Sequence, residues 1–196
     1  MRLVLVRHGE TAGQSSIRYH GRTDVPLSAL GRQQMERVRA ALNGETFAAV
    51  YASELSRAVE AAAIISGPRV VRIAGFNEID FGRWEGLTAQ EIERRDPQDY
   101  ARWMANRGDF TYPGGESTAG LRERVVPALR DVLATAPSGN LLFVVHKGVI
   151  RSILAELLSL DDAQRRGITV ALASIHVING GNARWRAEVL DRTDHL

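Results

Sequence analysis

The chain has 196 residues, 44% hydrophobic and 24% charged, which fits one soluble globular domain with a full-sized core and excludes a disordered or fibrous chain. It has no cysteine, so disulfides, thiol catalysis and thiolate metal sites are excluded, and no apolar run reaches the ~18–20 residues that span a membrane. A net charge of +2 with dispersed basic residues argues against a nucleic-acid partner, and with no charged-then-apolar leader before the first apolar run the expected compartment is the cytoplasm.

Leu3-Val4-Leu5-Val6 predicts a first, buried strand. Met35, Val38 and Leu42 recur at helical spacing after Ser28, which is the expected cap. A second strand is expected over Ala48–Ala52, followed by a helix whose apolar face is Leu55, Ala58, Ala62 and Ile65, behind Ser53. A third strand is expected over Val70–Ile73. Residues 76–116 read differently: they are polar, aromatic and punctuated by glycine, with short helices expected at 88–95 and 97–106. An excursion this long from an α/β core is expected to cap the functional site. Leu121, Val125, Leu129, Val132 and Leu133 predict a helix capped by Ser117 and kinked or restarted at Pro127. A strand over Leu141–Val145 leads into a helix with Val149, Ile150, Ile153, Leu154 and Leu157 on its buried face. The last two strands, Ser174–Ile178 and Arg184–Leu190, are joined by the hairpin signal Asn179-Gly180-Gly181-Asn182. This alternation predicts an α/β fold: a three-layer αβα sandwich on a mostly parallel six-stranded sheet with an antiparallel edge strand. One domain over residues 1–196 carries the insertion.

Arg7-His8-Gly9-Glu10-Thr11 follows the first strand directly, which puts His8 at the carboxyl edge of the sheet, where open α/β folds bind ligands. Arg7 beside it points to an anionic substrate, because a guanidinium fork matches phosphate bidentately. Gly9 is expected to let backbone amides approach the same anion. The site reads as a histidine nucleophile that accepts a phosphoryl group. Arg57, near the start of the helix after the second strand, is a second candidate phosphate clamp. His146 ends another strand at the same edge. Glu78 is the candidate proton donor, since a carboxyl in apolar surroundings holds its proton. Taken singly, each has a plainer explanation. His8 would be a polar strand end, Arg57 a solvated helix residue, His146 a satisfied core histidine, and Glu78 a cap with Asp80 an equal carboxylate. Metal binding by His8 and His146 lacks a third ligand at useful spacing. His176, mid-strand, and His195, in the tail, read as incidental.

The ordered set decides between these. After the RHG segment come Asp24-Val25-Pro26-Leu27-Ser28-Ala29-Leu30-Gly31, Ser53-Glu54-Leu55-Ser56-Arg57-Ala58, Glu78-Ile79-Asp80-Phe81-Gly82-Arg83-Trp84-Glu85-Gly86, Gly114-Gly115-Glu116-Ser117 and His146-Lys147-Gly148-Val149-Ile150-Arg151. Together they resemble the histidine phosphatase superfamily, in the branch of the phosphoglycerate mutases and their phosphatase relatives, over residues 2–178. The resemblance implies that His8 becomes phosphorylated, that Arg7, Arg57 and His146 form the phosphate pocket, and that Glu78 protonates the leaving group and then helps activate water. It implies no metal or other cofactor, and it matches Gln14, His20 and Gly21 to positions that hold phosphate or substrate. Three departures stand out: Gln14 replaces a common asparagine, Ala61 a common threonine, and Lys147 a common glycine. Lys147 is the only lysine in the chain, and it reads either as a ligand for a second anionic group or as a solvated rim residue.

Asp24-Val25-Pro26-Leu27, the Phe81–Gly86 segment and Asp96-Pro97-Gln98-Asp99-Tyr100 with Trp103 resemble the small phosphatases, α-ribazole phosphatases among them, more than the longer mutases. The expected activity is hydrolysis of a small phosphorylated metabolite. The alternatives are a 2,3-bisphosphoglycerate-dependent mutase, told apart by its product from 3-phosphoglycerate, and an inactive phosphate-binding module, which would be expected to lack His8 or Glu78. Tyr100, Trp103 and Tyr112 are expected at the entrance. A homodimer is left open.

Overall fold

A computed structural model describes residues 1–106, 108, 110–181 and 184–196. Six strands, β1 (Arg2–Arg7), β2 (Ala49–Ala52), β3 (Val71–Arg72), β4 (Asn140–Val145), β5 (Ile175–Gly181) and β6 (Arg184–Arg192), form one sheet in the order β3-β2-β4-β1-β5-β6. The pairs β2–β3, β2–β4 and β1–β4 are parallel. β5 runs against both β1 and β6, so the antiparallel pairing lies at that edge. Of the expected hairpin turn, Asn182 lies outside the described residues.

Side chains alternate across the sheet and build a separate core on each face. Val4, Val6, Leu142 and Val144 pack with Met35 and Val38 of α1 (Ala29–Ala41) and with Ala58, Ala62 and Ile65 of α2 (Ser56–Ser66). Ala61 is buried in this apolar layer, away from the chemistry. Leu3, Leu5, Leu141 and Phe143 pack on the other face. There they meet Leu121, Val125 and Leu129 of α5 (Thr118–Thr135) and Val149, Ile150 and Ile153 of α6 (Lys147–Leu158). The result is the three-layer sandwich. α5 runs as one helix through Pro127 rather than restarting there. Ser28 and Ser117 cap α1 and α5 through Gly31 N (3.0 Å) and Gly120 N (2.8 Å).

The inserted segment holds α3 (Ala89–Arg95) and α4 (Pro97–Ala105), close to the predicted helices, and Thr88 and Glu91 form a capping box on α3. Trp84 is fully buried at its centre, stacked on Phe110 and edge-on to Trp103 and Tyr112, with its indole N–H on Asp96 (3.0 Å). The cap thus has an aromatic core continuous with the sheet core beneath it. A seventh helix, α7 (Asp162–Gly167), was not predicted; its Asp161–Gln164 capping box holds a single turn and a half. No helix among the described residues is long and apolar enough to cross a membrane.

Candidate active site

β1 and β4 are parallel neighbours with Arg7 opposite Val145. The next residue of each strand, His8 and His146, therefore leaves the sheet at adjacent points, and the rings sit 5.1 Å apart at 61°. Both are buried. His8 is anchored through its own N–H to Val145 O (3.1 Å), and its Nδ1 lies 2.7 Å from Gly9 O. A carbonyl only accepts, so Nδ1 carries the hydrogen and Nε2 keeps its lone pair. Burial, then Arg57 and Arg7, push the His8 ring well below its ordinary value of 6.5, which keeps it neutral. His146 is pushed the same way by burial, Arg57 and His8. Ser53 Oγ lies 2.7 Å from His146 Nε2 and accepts the Leu55 N–H (3.3 Å). With the serine hydroxyl donating to Nε2, the hydrogen of His146 is assigned to Nδ1.

Arg57 is fully buried in the first turn of α2 and is held by three backbone carbonyls: Gly21 (2.5 Å), Thr23 (2.8 Å) and His20 (3.4 Å). Asp24 caps that helix from outside, accepting from Ser56 N and Oγ at 2.8 and 2.7 Å. Arg7 donates to Val170 O (2.8 Å), and burial lowers it to about 10, so it stays charged at neutral pH. Arg7 Nε, Arg57 Nε, His146 Nδ1 and His20 Nδ1 are buried and find no hydrogen-bond partner among the described residues. Buried polar groups are normally paired; Arg7, Arg57 and His146 thus keep unmet N–H donors while their charge or ring bears on the neutral His8, although Arg57 and His146 sit behind the wall of the cavity at His8 rather than lining it.

Glu78, also buried, accepts N–H bonds from Ile79 and, at the start of α6, from Gly148, both at 3.0 Å. Its charge bears directly on Arg7 and Arg57. Beside these two N–H groups Glu78 borders an apolar wall that includes Ile79, Phe81, Trp103 and Leu121. Asp80 does not line the His8 cavity; it accepts the Gly82 N–H (2.8 Å) and faces Arg22 in another cavity that Glu78 also borders. His8, Arg7, Glu78, His20 and Lys147 line a cavity of about 550 Å³, together with Tyr19, Phe81 and the loop Ser15–Arg18.

The chain matches the description "Histidine phosphatase superfamily (branch 1)" over residues 3–193. It is a member of that superfamily. It is 31% identical to phosphoglycerate mutase-like protein 4 of Arabidopsis thaliana over 200 residues, covering 99% of this chain and 86% of that one. It is 28% identical to the metal-independent phosphoserine phosphatase of the same plant, with 99% and 82% covered. The crystal structure of the α-ribazole phosphatase from Shigella flexneri superposes with a TM-score of 0.89 at 27% identity, covering 98% and 96% of the two chains.

Within this histidine phosphatase the remaining predicted residues fall in different places. Gln14 is exposed, in left-handed backbone (φ 61°), and does not line the cavity. His20 lines it, tied through Nε2 to Gly13 O (2.7 Å). Gly21 presents its carbonyl to Arg57 and its N–H to Glu85, so neither faces the cavity. At Gly9 a Cβ would stand 2.6 Å from Gly31 O at the start of α1, so the backbone there is closely packed. Lys147 is exposed and borders both the main cavity and an adjoining one of about 290 Å³. Trp103 and Tyr112 border that second cavity, while Tyr100 borders neither. Tyr19 and Phe81, which sequence reading missed, line both, edge-on to each other at 5.3 Å. Also missed were Ser53 and Glu10, whose carboxylate gathers Thr11 N, Ser15 Oγ and Ser16 N. His176 and His195 line neither cavity; His176 accepts the Asp191 N–H (3.1 Å) at the β5–β6 irregularity, and His195 is held 3.0 Å from Ala173 O.

Proposed function

We propose that this enzyme hydrolyses phosphomonoesters through a phosphohistidine on His8, and that its substrate is a small phosphorylated metabolite such as α-ribazole phosphate, or several of them. The supporting observation is the His8 ring itself: neutral, with Nδ1 tied to Gly9 O and Nε2 free to attack, amid Arg7, Arg57 and His146. In the first step the Nε2 lone pair forms a bond to phosphorus as the ester P–O bond breaks. The leaving oxygen takes a proton from Glu78, which borders the same cavity. In the second step water attacks phosphorus, Glu78 takes its proton, and the P–N bond breaks to release phosphate. The two guanidinium groups and His146 Nδ1–H stabilise charge on the three non-bridging oxygens, so catalysis is chiefly electrostatic and positional.

Net hydrolysis, rather than phosphoryl return to the product as in a mutase, is supported by the similarity to proteins named as phosphatases. Incubation with 3-phosphoglycerate should yield free phosphate and not 2-phosphoglycerate. The mechanism is tested by quenching a turnover reaction with labelled substrate: an acid-labile, base-stable adduct is expected at His8. Phosphate release without that adduct would overturn the proposal.

A further inference from the structure

Glu85 does not border the His8 cavity, yet its carboxylate is the most heavily used acceptor near it. It takes N–H bonds from Arg22 (3.0 Å), Gly21 (3.1 Å), Thr23 (3.3 Å) and, one turn back in its own segment, Phe81 (3.0 Å). The peptides of this short loop are bound on their other side by Arg57, through the carbonyls of Gly21 and Thr23. One loop is therefore pinned between a carboxylate on its N–H side and a guanidinium on its C=O side. Hydrogen bonds in such a chain polarise and strengthen one another, and those to an ionised acceptor are the strong kind.

The loop has little freedom to settle elsewhere. A Cβ at Gly21 would stand 1.7 Å from Ile79 O, so the backbone there is packed against the cap with no clearance. Arg57 itself is fully buried. If the carbonyls shift, water cannot easily replace them, and the guanidinium must follow its acceptors.

We propose that Glu85 is the positioning residue for Arg57: by holding the N–H groups of residues 21–23 it fixes the carbonyls that aim the guanidinium at the phosphoryl group. The same carboxylate holds the backbone of Phe81, whose ring lines the cavity, so the phosphate clamp and the aromatic wall share one anchor. This rests on the reading above in which Arg57 binds the phosphoryl group.

The test is the affinity for inorganic phosphate, measured calorimetrically, which does not depend on turnover. Glu85→Gln should weaken phosphate binding ~10-fold, the loss of one charge-assisted hydrogen bond's worth of alignment, with native circular dichroism. In an Arg57→Met background the same substitution should change nothing, because the group it positions is gone. Equal losses in both backgrounds, or no loss in the first, would overturn the proposal. Should Glu85→Gln not fold, Glu85→Asp keeps the charge on a shorter arm and is read in the same two backgrounds, with a smaller loss expected only where Arg57 is present. An Arg57→Met chain that binds phosphate like the native one sinks both the proposal and the reading beneath it. Absence of label on His8 sinks only the covalent chemistry.

Discussion

His8 lies with its Nδ1 2.7 Å from the carbonyl oxygen of Gly9, the residue that follows it. In the proposed mechanism that single contact decides which nitrogen of the ring attacks. Nitrogen-15 spectra of the protein at neutral pH should show His8 protonated on Nδ1 only, and the phosphoryl adduct should form on Nε2. Replacement His8→Ala should reduce hydrolysis of an aryl phosphate by at least ~10³-fold with the fold intact. Retained turnover would remove His8 from the mechanism.

Glu78 faces His8 across the same cavity. Glu78→Gln removes the proton but keeps an acceptor for the Gly148 and Ile79 N–H groups. Its effect should follow the leaving group: ~10²-fold or more on alkyl phosphates, and much less on nitrophenyl phosphate, whose oxyanion needs little protonation. Equal losses on both would point to another acid.

Ser53 reaches the chemistry only through His146 Nε2. Ser53→Ala should lower kcat/KM by ~10-fold, as expected when one orienting hydrogen bond is lost. Ser53→Thr, which retains a hydroxyl, should recover most of it. Loss of Tm without a change in kcat/KM would make Ser53 a structural residue.

Burial lowers His8 and His146 well below 6.5 and His176 to about 4. An unfolded chain takes up protons on these rings from about 6.5 downward, whereas the folded one resists until far lower. Stability is therefore complete above pH 6.5 and declines as pH falls through the window toward 4. Tm measured across that window should drop, and His176→Gln should flatten the drop. A Tm independent of pH between 6.5 and 4 would contradict the buried, neutral rings.

Among the described residues no group of three His, Cys, Asp or Glu is placed to hold a metal ion. Incubation with EDTA followed by gel filtration should leave phosphate release unchanged within ~2-fold. A clear loss restored by a divalent cation would reopen a metal role for His8 and His146.

The sheet was legible because its strands are short apolar runs ending at chemistry-bearing residues: Leu3–Val6 before His8, and Leu141–Val145 before His146. That both histidines leave parallel neighbours follows from topology, which periodicity alone does not give. Arg57 and Glu78 were legible as members of an ordered motif set, but not all of their surroundings. Glu78 was expected among apolar groups, and Ile79, Phe81 and Leu121 border the same cavity; what the sequence did not show is that the start of α6 brings the Gly148 N–H onto its carboxyl. Glu85 acts on the distant backbone of residues 21–23 and Ser53 on the distant side chain of His146, while Glu10 gathers the nearby Thr11–Ser16 turn, and none of these contacts leaves a periodic trace in the chain. Gly9 announced a close approach, but not that the backbone of Gly31 also packs against it; the equally tight packing of Gly21 on Ile79 O left no sign in the chain. His176 and His195, read as incidental to the chemistry, line neither cavity, and their structural bonds to Asp191 N and Ala173 O were not legible for a related reason.

β1 is the third strand from one edge of the sheet and is flanked by β4 and β5, so both of its hydrogen-bonding partners lie beyond residue 139. As the polypeptide leaves the ribosome, the apolar run Leu3–Val6 emerges long before residues 140–181 and waits for them before it can pair. Such a wait favours aggregation of nascent chains, and expression at low temperature or with a holding chaperone should raise the recovered yield.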